Sequence, residues 1–280
     1  MKNVLFATTA LIATAGFASA DVKVGGFGYL GVISSAATDT AAADTSVTHA
    51  TRLTFAGSVE TDSGISFTAS SRITISDNAD NGQLGHNKIT MTADSLTLAV
   101  GATHGAMRNT ARVAAFHGFN NGSMYYAGGG NGVDNGDGDF AQNDGGNNIY
   151  VAYTAGDLKV AASSDVDGNK QEVGVSYSMN GLTVGAAADN DNNFMLAAKY
   201  AGTGFNFGIG TNQDADIVLT ANYDIAEGTS LGMALDMASG GDVNSMGVQV
   251  AHDLGGASLY GAVGQNQGNS IAQLGVMFSF

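Results

Sequence analysis

The chain has 280 residues, 41 of them glycine and none of them cysteine, proline or tryptophan, and only 12% are charged. Its formal net charge of −15 excludes a nucleic-acid partner, because phosphate would be repelled. The lack of cysteine excludes a disulfide framework and metal–thiolate chemistry. A soluble domain is usually about a quarter charged, so this surface is expected to face something other than water.

The N-terminus reads as an export signal. Lys2 supplies a positive start, residues 4–17 are largely apolar, and Ala18, Ser19 and Ala20 form a small-residue cleavage site. Cleavage there leaves Asp21 as the first residue, with nine basic against 25 acidic residues, a net charge of −16. No other stretch approaches the ~20 apolar residues of a membrane helix. The mature chain, residues 21–280, is expected to form a single unit.

From Asp21 onward short turns alternate with strands of period 2. Seven turns stand out: 62–64, 93–95, 155–157, 180–181, 201–204, 224–228 and 253–256. Asn180 and Gly181 form a type I′ hairpin signal, since both residues tolerate positive φ. Seven tight turns on one side, with both termini on that side, predict sixteen strands, with fourteen as the fallback count. Their expected spans are 22–34, 50–61, 65–76, 87–93, 95–104, 147–155, 158–165, 171–179, 182–189, 194–200, 205–211, 216–223, 229–238, 244–252, 257–265 and 270–280.

Strand parity separates two faces. Over 50–61, Leu53, Phe55 and Val59 oppose Arg52, Thr54, Ser58 and Glu60. Over 65–76, Phe67, Ile73 and Ile75 oppose Thr68, Arg72 and Thr74, with Ser71 interrupting the apolar face. Over 171–179, Val173, Val175, Tyr177 and Met179 oppose Glu172, Gly174, Ser176 and Ser178. A basic residue facing lipid near mid-bilayer costs roughly 2–4 kcal/mol, which gives this segregation a physical reason. The face that carries the charges is expected to be wet. Tyr153, Tyr177, Tyr200 and Tyr223 precede successive turns at spacings of 24, 23 and 23 residues, the placement of an aromatic girdle at a membrane interface.

One connection is far longer than a hairpin loop, about 105–146. Its first half, from His104 to Phe116, has helical character and holds Arg108 and Arg112. Its second half is rich in glycine and carries Asp134, Asp137, Asp139 and Asp144. Gly129 to Asp134 matches the start of a calcium-binding nonapeptide repeat only once, with Gly136 where a large apolar residue is required. The aspartates lack EF-hand spacing, so adventitious Ca²⁺ is the most that this cluster suggests. His49, His86, His104, His117 and His252 have no metal-ligand spacing, so no metal site or other cofactor is expected. No nucleophile elbow is present, so no catalytic residue and no enzymatic activity are expected.

The chain ends on alternating Leu274, Val276, Phe278 and Phe280, a bare apolar strand that makes sense if its outer face meets lipid and its edge pairs with the first strand. This ending resembles the terminal assembly signal of Gram-negative outer-membrane β-barrels. The mature chain as a whole resembles the general diffusion porins, especially those of purple photosynthetic bacteria and other alphaproteobacteria. The carrying features are the signal peptide, the sixteen alternating strands, the long third loop and the terminal Phe280.

The resemblance implies an all-β fold, a sixteen-stranded antiparallel transmembrane barrel in the cell outer membrane, with the third loop folded inward. It implies a homotrimer that passes small hydrophilic solutes and ions. It also implies a constriction with Asp134, Asp137, Asp139 and Asp144 on the loop side. By parity, Arg52, Arg72 and Lys88 supply the wall side, at similar heights. Arg108 and Arg112 have the alternative of pairing with the loop's own aspartates. The carboxylate excess implies weak cation preference. The alternative function is a surface protein, an adhesin or hydrolase, that uses a plugged barrel only as an anchor. Five of the eight expected outer connections are too short to favour it.

Overall fold

The computed structural model describes residues 21–36, 42–76, 84–113, 148–166, 169–266 and 268–280. The elements in chain order are β1 (Asp21–Ser35), β2 (Asp44–Glu60), β3 (Ser66–Ser76), β4 (Leu84–Ala93), β5 (Leu96–Gly101) and the helix α1 (Ala106–Ala111). There follow β6 (Asn148–Ala155), β7 (Leu158–Asp165), β8 (Lys170–Met179), β9 (Leu182–Asp189), β10 (Phe194–Gly202) and β11 (Phe205–Asn212). The last five are β12 (Ile217–Ala226), β13 (Thr229–Met237), β14 (Val243–Asp253), β15 (Ala257–Asn266) and β16 (Asn269–Ser279). Each strand pairs antiparallel with its chain neighbours, and β1 pairs with β16, so the sixteen strands close into a barrel. Closure leaves no unpaired edge, the condition a sheet must meet to cross a bilayer. Among the described residues no helix is long and apolar enough to cross a membrane.

All seven expected turns join consecutive strands. Asn180 and Gly181 have φ of 51° and 84°, the type I′ geometry whose twist matches that of the flanking strands. On the opposite side, five connections are short: those after β7, β9, β11, β13 and β15.

The seam between β1 and β16 is built from small residues against large ones. Gly26 and Phe280 exchange two backbone hydrogen bonds, of 2.8 and 3.0 Å. A Cβ at Gly28 would lie 2.6 Å from Cζ of Phe278, so that ring lies over the glycine on the outer face. Leu274 is 60% exposed and Phe280 59% exposed, as an outward apolar set requires.

Parity holds around the barrel. The exposed large apolar side chains include Phe55, Ile75, Ile89, Val175, Phe207 and Val263, all on one face. Among the described residues every Asp, Glu, Lys and Arg within the sixteen strands has the opposite parity, from Asp21 and Lys23 in β1 to Asp253 in β14. Tyr153, Tyr177, Tyr200 and Tyr223 are on the outer face beside their turns, and Tyr200 stacks on Phe207 with ring centroids 5.5 Å apart.

The structure corrects several boundaries. β2 begins at Asp44 rather than residue 50, because residues 44–49 continue the register with β1 as far as Ser35. β5 ends at Gly101 rather than residue 104. Gly101 adopts φ of 98°, and a Cβ there would meet the Asn87 carbonyl oxygen at 2.2 Å. β4 starts earlier than expected and contains a bulge: Ser70 pairs with Lys88 but Arg72 pairs with Gly85. His86 takes positive φ there, and Asn87 accepts a 2.7 Å hydrogen bond from Ser71, which satisfies the one polar side chain on the apolar face of β3.

Candidate pore lining and constriction

The inner face of β2, β3 and β4 brings the three wall cations together. Arg52 is opposite Thr74 while Thr54 is opposite Arg72, which makes the two arginines diagonal neighbours on adjacent strands. Lys88 opposite Ser70 places it diagonally from Arg72 on the other side. Arg52 is eight residues into β2 and does not begin that strand, yet the register still sets it beside Arg72. Its Nε donates to Thr74 Oγ1 at 3.1 Å, and its guanidinium lies 5.0 Å from the centroid of Phe27. Arg72 Nη2 is hydrogen-bonded to Nε2 of His86, the residue that the bulge re-aims.

The long third connection follows the end of β5. Its opening residues, 102–113, include α1, and α1 lies against β7, β8, β9 and β10. The side chains it meets have inner-face parity. Met107, Ala111 and Val113 join Ala187, Met195, Ala197 and Val218 in a buried apolar cluster. A Cβ at Gly174 would meet Thr110 Oγ1 at 2.1 Å, and one at Gly185 would meet the Thr110 carbonyl oxygen at 2.0 Å. Glycine at these two positions leaves the hollow that the helix occupies.

Polar contacts hold both ends of α1. Met107 N–H donates to Glu172 Oε2 at 2.9 Å, and Ala106 N–H donates to Ser163 Oγ at 2.8 Å. The Ser163 hydroxyl in turn donates to Glu172 Oε2 at 3.3 Å. At the other end Lys159 Nζ donates to the Asn109 carbonyl at 3.3 Å. A carboxylate at the amide end and an ammonium at the carbonyl end complement the helix dipole.

The basic residues of the loop and wall act on one another. The His104 imidazole is held down to about 4, first by burial and then by the positive charges of Arg108, Arg112, Lys88 and Arg72. The two loop arginines thus contribute to the same positive field as Arg72 and Lys88.

Asp134, Asp137, Asp139 and Asp144 fall outside the described residues, as does the remainder of the expected inward fold, residues 114–147. The pairing of Arg108 and Arg112 with those aspartates falls there too. Among the described residues no group of three or more His, Asp or Glu side chains could hold a metal ion.

Parity reasoning missed part of the lining. The inner face is not uniformly wet: Met195 and Val218 are fully buried on it, and Tyr29, Phe27, Ile33, Tyr260 and Met277 form a second apolar patch with Ala50. Lys159 and Lys199 add two inner-face cations on β7 and β10. The signal for the first miss was an apolar residue on a charge-bearing face, since Met195 shares its parity with Lys199.

The family model for Gram-negative porins matches residues 7–276. The chain belongs to the Gram-negative porin family. Family membership carries an outer-membrane location with it, and porins are channels rather than enzymes. The search of curated proteins found no match. Among solved structures the barrel resembles a mutant of the Rhodopseudomonas blastica porin, at 17% identity and a TM-score of 0.74, covering 93% of this chain and 100% of that one. A triple mutant of the same porin matches at 16% identity and a TM-score of 0.74, with the same coverage. A structure described as "Asymmetric conductivity of engineered proteins" matches at 18% identity and a TM-score of 0.72. At these identities the likeness is one of fold, and it spans the whole length of those porins.

Proposed function

We propose that this porin is an open, water-filled channel through which small hydrophilic solutes and ions pass down their gradients. The observation that carries the reading is the segregation of charge: every charged side chain in the described strands has inner parity, while the outer face is apolar. A barrel serving only as an anchor would gain nothing from a lumen lined with Arg52, Arg72, Lys88 and Lys199. The five short outer connections also disfavour the anchored-adhesin reading.

In this proposal Asp134, Asp137, Asp139 and Asp144 form the acidic side of the constriction. Arg52, Arg72 and Lys88 form its basic side. The transverse field between them orients dipolar solutes and disfavours apolar ones. The acidic excess of the mature chain gives mild cation preference. Residues 1–20 act as the export signal, and the chain assembles as a homotrimer. Any Ca²⁺ at the loop aspartates is adventitious.

Swelling of liposomes that contain the refolded protein tests the reading. Sugars of increasing size should enter at rates that fall steeply with mass. Swelling no faster than that of protein-free liposomes would overturn it in favour of a plugged anchor.

A further inference from the structure

We propose that Glu172, together with Lys159, is a positioning residue that clasps α1 to the barrel wall and thereby fixes the cross-section of the pore. The proposal rests on the reading of the barrel as an open channel, and it deepens that reading by naming what holds the third connection in place.

Three independent features converge on α1. Glu172 is only 2% exposed, although a carboxylate lining an aqueous pore would ordinarily be solvated. Its Oε2 is directed at the first amides of the helix, directly at Met107 and through Ser163 at Ala106. Gly105, just before the helix, leaves room for that carboxylate: a Cβ there would lie 2.1 Å from Oε2. The wall is recessed for the same helix at Gly174 and Gly185, on adjacent strands. At the far end Lys159 holds the Asn109 carbonyl.

This arrangement does not line the path with charge. It spends a carboxylate and an ammonium on the two ends of a six-residue helix that is too short to be stable alone. Without the clasp the helix would keep its apolar contacts with Ala187, Met195, Ala197 and Val218, but nothing would fix its two polar ends against the wall, and it would shift in the lumen.

The variants that test this separate position from charge. Glu172→Ala removes both charge and acceptor, whereas Glu172→Gln keeps an acceptor for the Met107 amide. Gly174→Val pushes the helix off the wall without changing any charge. Single-channel records of Glu172→Ala should show about 10- to 100-fold more time in partial closures, the factor that losing a charge-assisted hydrogen bond implies, and Gly174→Val should raise that time as well. Glu172→Gln should stay near wild type.

Equal shifts of reversal potential in Glu172→Ala and Glu172→Gln, with steady currents in both, would show that Glu172 is a fixed charge and overturn the proposal. A Gly174→Val channel with wild-type steady currents would overturn it too. Failure of the channel reading itself is distinguishable, because the wild-type protein would then show no steps at all.

Discussion

A lysine placed at Ile89 or at its neighbour Thr90 should have very different consequences, although the two residues adjoin. Ile89 points outward and is 59% exposed, and on the outer face it is opposite Ala69 and Val100. It is four residues from the end of β4 at Ala93. At ~3.4 Å per residue and a tilt of ~40°, it stands about 10 Å above that end of the strand, close to the middle of an apolar band ~25 Å tall. Ile89→Lys should therefore cost about 2–4 kcal/mol. Thr90 points inward beside Lys88, and a second ammonium ~7 Å away in water costs only about 0.6 kcal/mol. The assay is urea unfolding from phospholipid vesicles at fixed lipid ratio. It should be followed by far-ultraviolet circular dichroism, since the chain has no tryptophan. Equal destabilisation by the two substitutions, or a larger loss for Thr90→Lys, would refute the assignment of faces.

Further outcomes follow from the seam, the constriction and the half-buried histidine. Gly28→Val, whose side chain would collide with the Phe278 ring, should slow barrel closure and lower the folded yield in a gel-shift assay without heating. The conservative Phe278→Tyr should not. Replacing Asp134, Asp137 and Asp139 together by asparagine should move the reversal potential in a salt gradient toward anions, and no movement would remove them from the constriction. His104 is neutral in the folded state down to about pH 4, whereas it protonates near 6.5 when unfolded. The unfolded chain thus binds the extra proton between those values, and stability falls as pH drops through that window. His104→Gln should flatten this dependence, and an imidazole titration by NMR that showed a midpoint near 6.5 would contradict the assignment.

Much of the barrel was legible because its signals are local. Turn residues such as Asn180 and Gly181 announce positive φ, and a period of 2 leaves each strand only two ways to face. The identity of Arg52, Arg72 and Lys88 as neighbours also followed from parity, although their registers did not. The β4 bulge at His86 was hidden because nothing in the string Gly85, His86, Asn87, Lys88 marks an extra residue; only pairing with Ser70 and Arg72 reveals it. The extension of β2 to Asp44 was hidden for a similar reason, since residues 44–49 are polar enough to read as loop. Glu172 was read correctly as inward but taken as solvated, because single-strand parity says nothing about what packs on top. Glycines at 174 and 185, on the charge-bearing face of adjacent strands, were the available hint that another backbone comes close.

The central claim is that charge on the inner face serves an aqueous path, and single-channel recording tests it most directly. The refolded protein, inserted in a planar bilayer under a salt gradient, should give stable steps in groups of three with a mildly cation-selective reversal potential. A folded, heat-modifiable barrel that inserts and yet conducts nothing would contradict the account.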